Sequence, residues 1–215
     1  MYELYLVTDR GLSQGRPLEE VILQAVQGGV SIVQLREKEA STRFFIEEAQ
    51  RVKQLLAPFH VPLIINDRVD VALAVEADGV HIGQNDMPYP LARRLLGPRA
   101  IIGLSVETMD QVLEAEAYDV DYLGVSPIFP TPTKTDTLGA WGLEGLAEVR
   151  RVSRHRLVAI GGLNASNAAE VIRAGADGIA VVSAICAAPD PRRAAEDLAR
   201  VIRAALAERS KPTGP

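Results

Sequence analysis

Along most of this chain, short runs of β-branched and aliphatic residues alternate with longer stretches in which apolar residues recur every three or four positions. The short runs read as strands buried on both faces and the longer stretches as amphipathic helices, so their alternation predicts βα units feeding a parallel sheet. The candidate strands are Leu4 to Thr8, Ser31 to Arg36, Leu63 to Asn66, Gly79 to Ile82, Ala100 to Leu104, Tyr122 to Val125, Leu157 to Ile160 and Gly178 to Val182. Helical periodicity covers Pro17 to Gln27, Thr42 to Leu56, Thr108 to Tyr118 and Asn167 to Ala174, each about long enough for a crossover, with Pro17 suited to a first helical turn. A last amphipathic helix, about Pro191 to Ala207, gathers Leu198, Val201, Ile202 and Ala205 on one side. Its arginines, Arg193, Arg200 and Arg203, fall largely elsewhere and read as a solvated face.

Eight such units without a break in composition predict a single-domain (β/α)8 TIM barrel over residues 1–209, with 210–215 as a frayed tail, in preference to an open doubly wound sheet. A weak internal echo agrees with closure. Ala77-Asp78-Gly79-Val80 and Ala176-Asp177-Gly178-Ile179 introduce strands in the same way, as related half-barrels would.

Composition narrows the class further. A length of 215 residues suits one well-buried domain, and a net charge of -5 with a pI near 5.3 argues against nucleic acid as the main partner. Any anion site must therefore be built locally. Cys186 is the only cysteine, which excludes an intrachain disulfide and a multi-cysteine metal cluster, fits a reducing compartment, and reads as a small buried apolar residue. The start, Met1-Tyr2-Glu3-Leu4-Tyr5, lacks a signal-peptide pattern, and no apolar run approaches ~20 residues, so the expectation is a cytoplasmic protein without a membrane segment.

In this fold the active site lies at the C-terminal ends of the strands, and polar residues there are the informative ones. Gln34, Arg36 and Lys38 follow at a spacing of two, so on an extended backbone an amide and two cations point toward the mouth, unless they are only a solvated strand end. Asp67 and Asp86 follow the third and fourth strands. Carboxylates on adjacent strand ends facing cations fit Mg2+, whose remaining positions go to substrate oxygens and water; the plain alternative is that Asp67 caps the helix starting near Val69. His81 alternates with Gly83 toward the interior and reads as a hydrogen-bonded core residue, since no second histidine or cysteine beside it suggests zinc.

After the sixth strand, Ser126 to Asp136 is too polar and proline-restricted for helix or strand. It reads as a lid, with Thr131 and Thr133 as hydroxyl donors and Lys134 as a cation for phosphate, or else as a solvated turn. Trp141 beyond it reads as core packing, with packing under the lid as the alternative. The seventh and eighth strands end in Gly161-Gly162 and Val182-Ser183, where this fold commonly builds a phosphate site, although a glycine pair also serves a tight turn.

Taken together, Tyr5-Leu6-Val7-Thr8-Asp9, Val33 to Lys38, Asn66-Asp67-Arg68, Asp78 to Gln84, Thr131 to Lys134, Ile160-Gly161-Gly162 and Val182 to Ile185 resemble the thiamine-phosphate synthase family over nearly the whole chain. The resemblance implies that Gln34, Arg36, Lys38, Asn66, Ser105 and Lys134 hold an aminopyrimidine diphosphate and that Asp67 and Asp86 hold Mg2+. It implies that Thr131, Thr133, Gly162, Val182 and Ser183 bind a thiazole phosphate, that the products are thiamine phosphate and pyrophosphate, and that the protein is a homodimer. Arg36, Lys38 and Lys134 would be the catalytic cations. A thiazole nitrogen has no proton to lose and an electron-rich aminopyrimidine stabilises a methylene cation, so no nucleophile–base pair is required. The nearest rival is a thiazole tautomerase-like paralogue, which needs an acid–base histidine near the sixth strand end, where this chain has Pro127. A non-catalytic phosphate-binding barrel is the rival of another class.

Overall fold

The computed structural model describes residues 2–131 and 139–210. Eight parallel strands close into a barrel in sequence order: β1 (Leu4–Val7), β2 (Ile32–Leu35), β3 (Leu63–Asn66), β4 (Gly79–Ile82), β5 (Ile101–Val106), β6 (Tyr122–Val125), β7 (Leu157–Ile160) and β8 (Gly178–Val181). Closure is direct, with Tyr5 of β1 in register with both Ile32 of β2 and Ala180 of β8. The outer ring is α1 (Leu18–Gln27), α2 (Thr42–Leu56), α3 (Val69–Val75), α4 (Tyr89–Leu96), α5 (Met109–Ala115), α6 (Gly142–Val152), α7 (Ala168–Arg173) and α9 (Pro191–Arg209), with a one-turn α8 (Ser183–Cys186) directly after β8. No helix among the described residues is long and apolar enough to cross a membrane.

The predicted elements are all present, and their ends move for local reasons. Thr8 and Arg36 fall beyond β1 and β2, where the Thr8 hydroxyl accepts the Arg36 backbone N–H at 3.0 Å. Strand β5 extends past Leu104 because Ser105 and Val106 pair with Gly124 and Val125. Pro17 is not in the first turn of α1 but caps it from outside at ψ 134°. Helices α5 and α7 are shorter than their periodicity, whereas α9 runs two residues beyond Ala207, to Arg209.

Two apolar layers hold the molecule. The larger lies between strands and helices; the smaller fills the barrel with Tyr5, Val7, Ile32, Ile64, Tyr122, Val158 and Ala180. Cys186 is buried, and burial pushes its thiol up to about 11, which makes it packing rather than a reactive group. Trp141 packs against the larger layer, as expected.

The repeated Ala-Asp-Gly segments acquire a physical explanation at the bottom of the barrel. Asp78 accepts the backbone N–H of Leu63 at 2.8 Å and Asp177 that of Leu157 at 2.9 Å, each clamping the start of the preceding strand. Gly79 and Gly178 then allow close approach on the other side, since a Cβ there would lie 2.0 Å from the Ile101 carbonyl oxygen and 1.6 Å from that of Tyr2. Asp121 plays the carboxylate part again, toward Ile102.

Candidate active site

The C-terminal ends of the strands surround a cleft of about 710 Å³. Of the residues expected to form a site, Gln34, Arg36, Lys38, Asn66, Asp67, Asp86, Ser105, Thr131, Gly162, Val182 and Ser183 all line it. Thr133 and Lys134 lie outside the described residues.

One side of the cleft is charged. Lys38 Nζ donates to Asp67 Oδ2 at 2.8 Å, and Arg36 lies 3.7 Å from Asp9. Asp86 accepts the Gly83 N–H at 2.7 Å, and partial burial, with the nearby Asp67 carboxylate, holds its own carboxyl above the usual range. The capping alternative for Asp67 fails. Arg68 occupies the N-cap position of α3, no side-chain cap hydrogen bond is made there among the described residues, and Asp67 itself adopts the left-handed region at φ 61°. That backbone turns its carboxylate toward Lys38 and Asp86, and aspartate is among the few residues that tolerate it. Among the described residues, no cluster of three or more His, Cys, Asp or Glu could hold a metal by itself. As oxygen donors, Asp67 and Asp86 suit a hard cation that takes one or two carboxylates and completes its shell with substrate oxygens.

The opposite side is built from backbone. Gly161 and Gly162 have φ of 103° and 67°, and their missing side chains also make room for a neighbour. A Cβ on Gly161 would lie 2.6 Å from Pro127 Cβ, and one on Gly162 2.8 Å from Phe129 Cβ, so the glycine pair packs the loop after β7 beneath the segment after β6. Helix α8 begins at Ser183, leaving first-turn N–H groups at the cleft edge. Its far end is fixed by Arg16, whose guanidinium donates to the Cys186 and Ala188 carbonyls at 2.8 Å each.

The floor carries residues beyond those expected to form the site. Tyr5, His81 and Tyr122 all line the cleft, as do Gln84, Glu107 and Gln111. Tyr5 Oη and Tyr122 Oη lie 2.8 Å apart, and burial pushes both phenols well above their ordinary value, so both stay protonated. The inward period-two positions of β1 and β6 mark these tyrosines in the sequence. What the sequence lacks is the register that brings them together.

Comparison with known proteins shows the family and the fold. Residues 4–185 match the family described as thiamine monophosphate synthase. The chain is 60% identical to the thiamine-phosphate synthase of Albidiferax ferrireducens over 94% of its own length and 92% of that protein's. With the enzyme of the same name from Vibrio campbellii the identity is 52%, over 94% and 98%. Among solved structures, a thiamine phosphate pyrophosphorylase from Pyrococcus furiosus superposes with a TM-score of 0.87 at 41% identity, covering 95% of this chain and 97% of that one.

Proposed function

The chain belongs to the thiamine-phosphate synthase family of transferases, and from that membership we propose how the barrel mouth joins an aminopyrimidine diphosphate to a thiazole phosphate. The observation that carries the reading is the division of one cleft into a charged side, with Arg36, Lys38, Asp67 and Asp86, and a backbone side, with Gly162, Val182 and Ser183. Diphosphate belongs on the first. There Arg36 and Lys38, with Lys134, neutralise the leaving group, while Gln34, Asn66 and Ser105 orient the ring. Thiazole phosphate belongs on the second, held by Gly162 and by Val182 and Ser183 at the start of α8, and by Thr131 and Thr133. Asp67 and Asp86 are the residues to hold Mg2+, which when bound supplies positive charge to the departing pyrophosphate.

The chain's residues need not supply a base. The attacking thiazole nitrogen carries no proton, and the methylene carbon gains cation character as the C–O bond breaks; the electron-rich ring stabilises it. Catalysis then consists of stabilising charge on the leaving oxygen and aligning the thiazole. Pro127 offers no ionisable group where proton transfer would demand one.

Two measurements test this arrangement. Ser183→Glu places a like charge in the anion subsite, and calorimetry should find thiazole phosphate bound about 10- to 100-fold more weakly with aminopyrimidine diphosphate little affected. Equal loss for both ligands would show that the subsites are not separate. Lys134→Ala should lower kcat about a hundredfold, more than it raises KM, because charge on the leaving group grows toward the transition state. Lys134→Arg should recover only part of the rate, since a planar fork does not reproduce a compact ammonium. A change in KM alone would reduce Lys134 to a binding residue.

A further inference from the structure

A continuous hydrogen-bond chain crosses the barrel floor from β2 to β5. Gln34 Nε2 donates to Tyr5 Oη at 3.0 Å, Tyr5 Oη lies 2.8 Å from Tyr122 Oη, and Tyr122 Oη lies 3.0 Å from His81 Nδ1. His81 Nε2 then lies 2.8 Å from Ser105 Oγ. A phenol oxygen can accept twice but has one proton to give, and with the Gln34 amide donating, only one direction gives both buried phenol protons an acceptor along the chain. In that direction Tyr5 accepts from the Gln34 amide and gives its proton to Tyr122. Tyr122 gives its own to His81 Nδ1. An imidazole accepting at Nδ1 carries its proton on Nε2 and donates to Ser105 Oγ, which frees the serine O–H to point elsewhere. Ser105 lines the cleft.

We infer that Tyr5, Tyr122 and His81 are positioning residues that fix the Ser105 hydroxyl as a donor into the mouth, aimed at an acceptor nitrogen of the aminopyrimidine ring. At the other end, the same polarity leaves the Gln34 carbonyl oxygen as an acceptor. The inference rests on the reading of Ser105 as a contact of that substrate.

The barrel gives up two side chains to make room for this chain. A Cβ on Gly103 would lie 2.1 Å from Tyr122 Cζ and 2.6 Å from His81 Nδ1, and one on Gly124 would lie 2.9 Å from His81 Cε1. Register puts Gly103 between them, opposite His81 on one side and Tyr122 on the other. The rings pack as well as bond, with His81 stacked on Tyr122 at 5.5 Å and Tyr5 edge-on to it at 5.7 Å. Polar chains of this kind polarise one another, and in a barrel interior usually filled by branched aliphatics they are costly unless every member is satisfied.

The test begins with the unmodified protein. Nitrogen-15 spectra of the imidazole rings, with the His81 signals identified by their loss in His81→Gln, should show the proton of neutral His81 on Nε2 and a bare Nδ1. A proton on Nδ1 would reverse the chain and overturn the inference. Tyr122→Phe keeps the ring and removes the donor. It should weaken aminopyrimidine diphosphate binding about tenfold, the scale of one lost hydrogen bond, with thiazole phosphate binding unchanged. In a Ser105→Ala background the same substitution should have no further effect. Equal loss for both ligands, or full persistence of the effect without Ser105, would make the role merely structural and overturn it. If Ser105→Ala alone left aminopyrimidine diphosphate binding intact, the failure would lie in the underlying site reading, since the ring spectra report the chain's direction independently.

Discussion

Asp67→Asn and Asp86→Asn should each lower kcat by about a thousandfold, at the upper end of what one well-placed electrostatic group contributes, while leaving the barrel folded. Asparagine is the informative substitution at both positions. Asp67 sits at φ 61°, a conformation that asparagine tolerates and that would strain alanine, and Asp86 accepts the Gly83 N–H, which an amide oxygen also accepts. The lost property is then charge alone. Stability should hold, since the Lys38–Asp67 pair is largely exposed on the lysine side and such pairs contribute little, and since removing one of two neighbouring carboxylates relieves repulsion. The decisive reading is the Mg2+ dependence of the residual rate, which should shift to higher concentration in both variants. Unchanged dependence would remove the metal from these residues. A loss of folded protein would make them structural.

The second large effect concerns stability, in a cluster beside the mouth. The Arg10 guanidinium reaches both Glu48 and Glu37, the latter at 3.1 Å, and lies 5.1 Å from the centre of the Phe44 ring. Glu48 is 1% exposed, its second oxygen has no hydrogen-bond partner among the described residues, and the Glu37 carboxylate lies close enough to repel it. Arg10→Ala would leave a buried carboxylate without its cation, for which the expected loss is about 3 kcal/mol, the lower end of the range for breaking a buried pair, because Arg10 itself is half exposed. In thermal denaturation that corresponds to about 6–12 °C for a chain of this size. Adding Glu48→Gln to Arg10→Ala should restore part of the loss, since the amide buries no charge. A loss below about 0.5 kcal/mol would place the cluster with ordinary surface pairs.

The sequence makes the barrel legible because period and punctuation agree along all eight units. It also places Gln34, Arg36 and Lys38 at one strand end and the two aspartates at the next two. It leaves Asp67 undecided between helix cap and cleft, because the choice depends on a positive φ that composition does not reveal. The Gly161-Gly162 pair is visible as a turn or a phosphate loop, but its contact with Pro127 and Phe129 depends on a segment more than thirty residues earlier. His81 is legible only as a buried, hydrogen-bonded residue. That it connects Tyr122 to Ser105 follows from a register in which β4, β5 and β6 present His81, Gly103 and Tyr122 side by side, and no local pattern encodes it.

The central claim is that the charged side of the mouth expels pyrophosphate while the backbone side presents the thiazole. Single-turnover mixing of enzyme with aminopyrimidine diphosphate, thiazole phosphate and Mg2+ tests it most directly, with pyrophosphate and thiamine phosphate both followed. The account predicts one pyrophosphate for each thiamine phosphate, with both dependent on Mg2+ and slowed together in Asp86→Asn. Condensation at an undiminished rate in Asp86→Asn, or no pyrophosphate from the complete mixture, would contradict it.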